Sequence, residues 1–246
     1  MSGKKMRVKL NNPVLLSKVI DLISELVTEV RIKITDIGMS IVAMDPANVA
    51  MVGFWLPKTA FSQFETGDEV LGVNLDSLKR ILKRCSPSCS LVLEKKENLL
   101  EIQIQDRIRR IFTLNLIDID REEKEMPELE FSSKVELSSI DLVASIEDCA
   151  IVADACSFII KDGGFIIEAR GLNSAKSEFS GDEAKIDAED CKSKYSLEYL
   201  QKFVKASKLT DKVILKFAND HPLRMDIKNE QMEMSFILAP RVETED

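Results

Sequence analysis

One histidine occurs in 246 residues, His221, beside Pro222 in a stretch that reads as a hairpin turn. No GxSxG, Walker loop, GxGxxG or HExxH is present, so the usual arrangements for nucleophilic, phosphate-binding or zinc chemistry are missing. The five cysteines, Cys85, Cys89, Cys149, Cys156 and Cys191, are odd in number and form no CxxC. They suggest neither a disulfide framework nor a zinc site, and reduced thiols in an intracellular protein are expected. Cys85 and Cys89 are four apart and share a helix face if the helix before them runs on, but they supply too few ligands for a metal. No apolar run approaches the ~20 residues that cross a bilayer, and no signal peptide precedes Met6, so a soluble chain is expected. A basic excess is also absent. The net charge is -8 and the pI about 5.0, which excludes a protein that coats nucleic acid with its whole surface and leaves a local basic face open.

What is present is organised around residues 117–131, IDIDREEKEMPELEF, with seven carboxylates and two bases and no apolar period. Such a run cannot bury a face and reads as a solvated connector. Its carboxylates lack the fixed geometry of a metal site. Its last apolar residues, Met126, Pro127, Leu129 and Phe131, offer a surface to a partner. The connector divides the chain into a first domain over 1–117, a linker over 118–131 and a second domain over 132–246.

The two sides repeat. From Val14, apolar residues at Val19, Leu22, Ile23, Leu26 and Val30 follow helical spacing, with Pro13 in the first turn. VRIKITDIGMSIVAMD and ANVAMVGFWL read as a three-stranded meander, GVNLDSLKRILKRC as a helix, SLVLEKKENLLEIQIQ as a hairpin and RRIFTLNLI as a closing strand. Beyond the connector come strand and helix in VELSSIDLVASIEDCAIVAD, and a hairpin turning at Asp162-Gly163-Gly164. A strand in SAKSEFS, a helix in YSLEYLQKFVKAS, a hairpin and the strand MEMSFILAP complete this side. Asp36 and Gly38 match Asp162 and Gly164, and Leu75 and Leu78 match Leu197 and Leu200, so one fold is used twice. The fold class is α+β, with two topologically similar domains of two helices against antiparallel sheet. RRIFTLNLI and SAKSEFS read as edge strands suited to head-to-tail pairing.

Bases cluster on the helices: Lys79, Arg80, Lys83 and Arg84 on one, Lys202, Lys205 and Lys208 on its counterpart, and Lys18 on the first. A solvated face explains any one of these; their recurrence on matching helices suggests a shared surface for sequence-independent phosphate contact.

AMDPANVAMV at Ala43, GVNLDSLKRILKR at Gly72, LIDID at Leu116 before an acidic run ending in MPELEF, YSLEYLQKFVKA at Tyr195 and the closing LAPRVE at Leu238 resemble the sliding clamps of the proliferating cell nuclear antigen family, in their archaeal form. The resemblance runs from Met6 to Val242. It implies a non-enzymatic, cofactor-free, three-subunit ring with helices lining a hole around duplex DNA and antiparallel sheets outside, without membrane association. It places the chain in the cytoplasm of an archaeal cell, or in the nucleus of a eukaryote. The clamp would be loaded by replication factor C and would tether DNA polymerase, flap endonuclease and DNA ligase through PIP-box peptides. By position, the resemblance assigns Lys9, Lys18, Lys79, Arg80, Lys83, Arg84 and Lys205 to DNA. It assigns Met44, Val49, Met126, Pro127, Leu129, Phe131, Pro222, Ile237, Leu238, Ala239 and Pro240 to the peptide pocket. Subunit contact would pair the strand holding Arg110, Phe112 and Leu114 with that holding Lys176, Glu178 and Ser180. The helix in SSIDLVASIEDCAIVAD departs from the family's basic pattern, with Asp141, Glu147 and Asp148 and no base. One subunit of a heterotrimer and a protein-interaction scaffold without DNA remain alternatives.

Overall fold

The computed structural model describes residues 6–242, which fall into two units, 6–46 with 52–125 and 47–51 with 126–242. The first unit begins with β1 (Arg7–Leu10), α1 (Pro13–Ile23), β2 (Glu29–Thr35), β3 (Gly38–Met44) and β4 (Ala50–Pro57), whose first two residues count with the second unit. It continues with β5 (Gln63–Glu65), β6 (Glu69–Asn74), α2 (Leu75–Leu82), β7 (Ser90–Lys96), β8 (Leu99–Gln105) and β9 (Arg109–Asn115). Its strands lie in the orders β5-β1-β7-β8-β9 and β4-β3-β2-β6.

The second unit holds β10 (Ser133–Ser138), α3 (Ser139–Val152), β11 (Ala155–Lys161), β12 (Gly164–Arg170), β13 (Ser174–Phe179), β14 (Ala184–Ala188) and β15 (Cys191–Ser196). Then follow α4 (Leu197–Val204), β16 (Lys212–Phe217), β17 (Leu223–Lys228) and β18 (Glu233–Leu238). Its orders are β14-β10-β16-β17-β18 and β13-β12-β11-β15. Element for element these are the orders of the first unit, so the repeat is one of topology as well as of sequence. The hairpins match in register, Thr35 opposite Gly38 and Lys161 opposite Gly164. At the second turn Asp162 and Gly163 have φ of 51° and 77°, as a two-residue turn with right-handed strand twist demands.

Both helices of each unit bury one stripe. In α1 this is Leu16, Val19, Ile20 and Ile23. In α2 it is Leu75, Leu78 and Leu82, where each buried leucine contributes about 2 kcal/mol of transfer free energy. The Asn74 side chain accepts the Ser77 N–H at 3.0 Å and starts α2, while Asp76 at its start and Lys79 and Arg80 near its end complement the helix dipole. The second core is aromatic: Phe158 meets Phe165, Tyr195 and Phe217 edge-on at 5.3–5.9 Å.

Three expected helices are shorter than their spacing implied. α1 stops at Ile23; Leu26 and Val27 stay buried in the turn that follows, and Val30 belongs to β2. Burial of a turn mimics helical period, and the β-branched Val27, Thr28 and Val30 favour the strand. Gly72, Val73 and Asn74 end β6 before α2 begins, and Tyr195 and Ser196 end β15 before α4. The short strands β5, β14 and β15 escaped the pattern because they carry few apolar residues.

Candidate nucleic-acid interface and partner-docking surface

The basic residues divide by helix. α1 and α2 pack together, and Asp21 on α1 receives Lys79 at 2.8 Å and Lys83 at 3.2 Å. The hydrogen bond from Lys79 is the main reason the Asp21 carboxyl sits below its ordinary pKa, and the same bond raises Lys79. Two of the expected DNA-facing cations therefore share a carboxylate, whereas Lys18, Arg80 and Arg84 are exposed. Lys83 caps α2 and Arg84 follows it in the turn. Lys9 lies half-buried on β1, opposite Val92 and Gln63, and so is a strand residue.

In the second unit Lys202 bonds Glu198 at 3.4 Å and lies 5.2 Å from the Tyr199 ring. Lys205 is the last cap of α4, and Lys208 lies on a 3-10 turn, Ala206–Leu209, so the expected helix 195–207 is broken where the bases fall. Beside them α3 turns Ile140, Asp141, Ala144, Glu147, Asp148 and Ile151 to solvent. These positions, three, four and seven apart, make one acidic and apolar stripe without a base.

The expected docking residues come mostly from the connector's end and the chain's close. Met126, Pro127, Leu129 and Phe131 are half-buried, while Glu128 and Glu130 between them are exposed. Phe131 meets the His221 ring edge-on at 5.3 Å. The Tyr195 hydroxyl donates to the His221 carbonyl at 2.7 Å, and Ser193 Oγ donates to the same oxygen at 3.2 Å, so the turn before Pro222 is fixed from below. Burial drives the Tyr195 phenol well above its ordinary pKa, which keeps it a donor. Ala239 N–H donates to Val49 O at 2.8 Å and Arg241 N–H to Lys194 O at 2.7 Å, holding the tail after the buried Ile237 and Leu238 in extended form. Pro240 is half-buried there; Met44, at the end of β3, belongs to the other unit. The role of Tyr195 and Ser193 was invisible in sequence because β15 carries few apolar residues and its last two, Tyr195 and Ser196, read as the start of a helix.

The connector's first half is not the free run that its composition suggests. Ile117 N–H donates to Gly72 O at 2.9 Å, Arg31 donates to the carbonyls of Ile119 and Arg121, and Lys33 pairs with Glu123. A Cβ on Gly72 would stand 2.0 Å from Ile117 O, so only glycine permits this approach. Arg31 and Lys33 alternate on β2, a signal that becomes meaningful only once the acidic run is seen to lie over it.

β9 and β13 each end their own sheet order, with one flank unpaired within it. On β9, Arg110 and Phe112 are half-buried and Leu114 is buried, while Arg109, Ile111 and Thr113 point to solvent. On β13, Lys176 pairs with Glu178, both exposed, and Ser180 follows, its hydroxyl held by Glu183 at 2.6 Å. Cys85 and Cys89 fall in the loop after α2, not on a helix face; burial first, then Cys89 beside it, pushes the Cys85 thiol up to about 12. No cluster of three metal-binding side chains occurs among the described residues, and no helix there is long and apolar enough to cross a membrane.

Residues 5–125 match the family model for the N-terminal domain of proliferating cell nuclear antigen, and residues 125–242 match that for its C-terminal domain. The chain is 39% identical to DNA polymerase sliding clamp 1 of Thermococcus kodakarensis over 89% of this chain and 92% of that protein. It is 37% identical to the DNA polymerase sliding clamp of Pyrococcus furiosus over 92% and 94%. The fold superimposes on the crystal structure of the Entamoeba histolytica antigen with a TM-score of 0.90 at 24% identity, covering 97% of this chain and all of that one. Duplicated units, helices bearing bases and open edge strands thus have a common explanation: the chain belongs to the proliferating cell nuclear antigen family.

Proposed function

We propose that the chain is a DNA sliding clamp, a polymerase processivity factor that encircles duplex DNA as a ring of three copies and takes no part in bond making. The observation that carries this reading is the duplicated unit with open edges at β9 and β13. An edge at each end of a duplicated topology lets identical copies add head to tail, and such addition ends in a ring when the rotation closes. In this ring Arg110, Phe112 and Leu114 of one copy lie along Lys176, Glu178 and Ser180 of the next, and the exposed Ile111 is covered.

The bases Lys18, Arg80, Lys83, Arg84, Lys205 and Lys208 contact phosphates, with Lys9, Lys79 and Lys202 nearby, and no base reader is needed. Replication factor C opens the ring. Polymerase, flap endonuclease and DNA ligase dock PIP-box peptides on Val49, Met126, Pro127, Leu129, Phe131, Pro222 and Ile237 to Pro240, with extended peptide running along the connector and tail. The domains are 1–117 and 132–246 with a linker between, and the clamp works on chromosomal DNA in the cytoplasm. The acidic α3 favours a second reading, one subunit of a heteromeric ring whose other members supply the missing bases.

Light scattering over a concentration series tests the first reading. A mass three times 27.7 kDa that persists on dilution, with retention on circular DNA lost when the circle is cut, supports it. A mass of 27.7 kDa at all concentrations favours the heteromer. A trimer that leaves circular and linear DNA at one rate leaves only a scaffold.

A further inference from the structure

We propose that Arg31 and Lys33 are positioning residues that clamp the first half of the connector on β2 and β6, so that a docking peptide meets a path already laid out. This rests on the docking reading above. Three observations support it. Arg31 Nη2 alone reaches the carbonyls of both Ile119 and Arg121, two residues apart, so the connector's backbone bends around one guanidinium nitrogen. Lys33, two residues along the same face of β2, pairs with Glu123. Gly72, opposite Arg31 on β6, bonds Ile117 and leaves the Cβ space that the connector's backbone fills.

The run 117–123 is too acidic to be held by burial, and its backbone would otherwise be fully solvated. The two bases replace burial. Charge-assisted bonds to main-chain carbonyls fix the path irrespective of the connector's side chains, and the pair with Glu123 adds a salt-dependent tie. An extended peptide that docks on a free connector must order both chains; on a clamped connector it orders only itself. Arg31 and Lys33 therefore set partner affinity without touching the partner, and raising salt loosens the Lys33 tie before the Arg31 bonds.

The test is Arg31→Ala with Lys33→Ala in the full chain, read by amide hydrogen exchange over 117–123, affinity for a synthetic PIP-box peptide and mass by light scattering. The expected result is lost protection at Ile117 and its neighbours, affinity lower by about three- to tenfold, and an unchanged mass. Lys33→Arg should restore much of the salt-dependent part. Gly72→Ala, which displaces the same segment from beneath, should reproduce the affinity loss with both bases in place. Retained protection in the double variant overturns the clamp, and lost protection with unchanged affinity overturns its role in docking. If the unaltered chain binds no PIP-box peptide, the docking reading has failed, and the exchange measurement still decides whether the clamp exists.

Discussion

The helical faces of the two units have the same topology and opposite chemistry. Lys18, Arg80, Lys83 and Arg84 stand on α1 and α2, whereas α3 offers Asp141, Glu147 and Asp148 with Ile140 and Ile151, and the bases of the second unit are confined to the end of α4 and the turn beyond. Duplication preserved strand order, hairpin register and the length of the second helix, eight residues in both α2 and α4, whereas α3 runs to 14 residues against 11 in α1. It left the solvent-facing positions free to diverge. Core positions answer to packing on every side; exposed helix positions answer only to what approaches them. The contrast recurs on the sheets. Gln103 on β8 and Asp226 on β17 occupy matching places, each paired across two neighbouring strands. Gln103 accepts from Arg109, while Asp226 accepts from Arg224, Lys216 and Ser235. Burial pushes Asp226 up, but the Ser235 and Arg224 hydrogen bonds outweigh it and hold the carboxyl below its ordinary value.

If the contrast governs DNA contact, reversing the first unit's bases has the largest effect. Arg80→Glu, Lys83→Glu and Arg84→Glu together should shorten the lifetime on circular DNA by about 100-fold at about 0.15 M salt and flatten its salt dependence. Lys205→Glu with Lys208→Glu should cost about tenfold; equal losses from the two sets would erase the asymmetry. The sheet comparison comes next. Asp226→Ala strands Arg224 and Lys216 and should destabilise the second unit by about 2 kcal/mol in denaturant titration, whereas Gln103→Ala should cost about half that. A smaller gain is expected from Asp141→Lys with Glu147→Lys, which fills the acidic gap and should lengthen the lifetime on DNA about threefold. An unchanged or shortened lifetime would mean that α3 does not face DNA.

The least effect concerns pH. Because Asp21 is depressed in the folded chain, its contribution is present above its ordinary pKa of 3.8 and is lost as pH falls through the folded value. Lys79 is raised, so its contribution is complete below 10.5 and fades as pH rises through its folded value. Asp21→Asn should therefore flatten the acid limb of the melting temperature below pH 3.8, by an amount that solvent screening keeps small.

The hairpins at Asp36 and Asp162, the leucine stripes of α2 and α4, and the edge strands β9 and β13 were legible in the chain because alternation, spacing and turn residues are local signals. The ends of α1 and α4 were less so, because buried turns and a 3-10 turn continue a helical period without helical bonding. The candidate bases were visible as types and positions. Which of them share Asp21 was not, because that depends on how α1 lies against α2.

By itself the sequence determined that there are two copies of one α+β unit, that no usual catalytic constellation is present, and that an acidic run joins the copies. Only the tertiary structure decided what that run does. Its composition prescribes solvation, and local propensity holds no information about Arg31, Lys33 or Gly72, some 45 to 90 residues earlier. Contacts between positions so distant form only when β2 and β6 pair, and pairing sets two bases and a glycine under the connector where no linear pattern could place them.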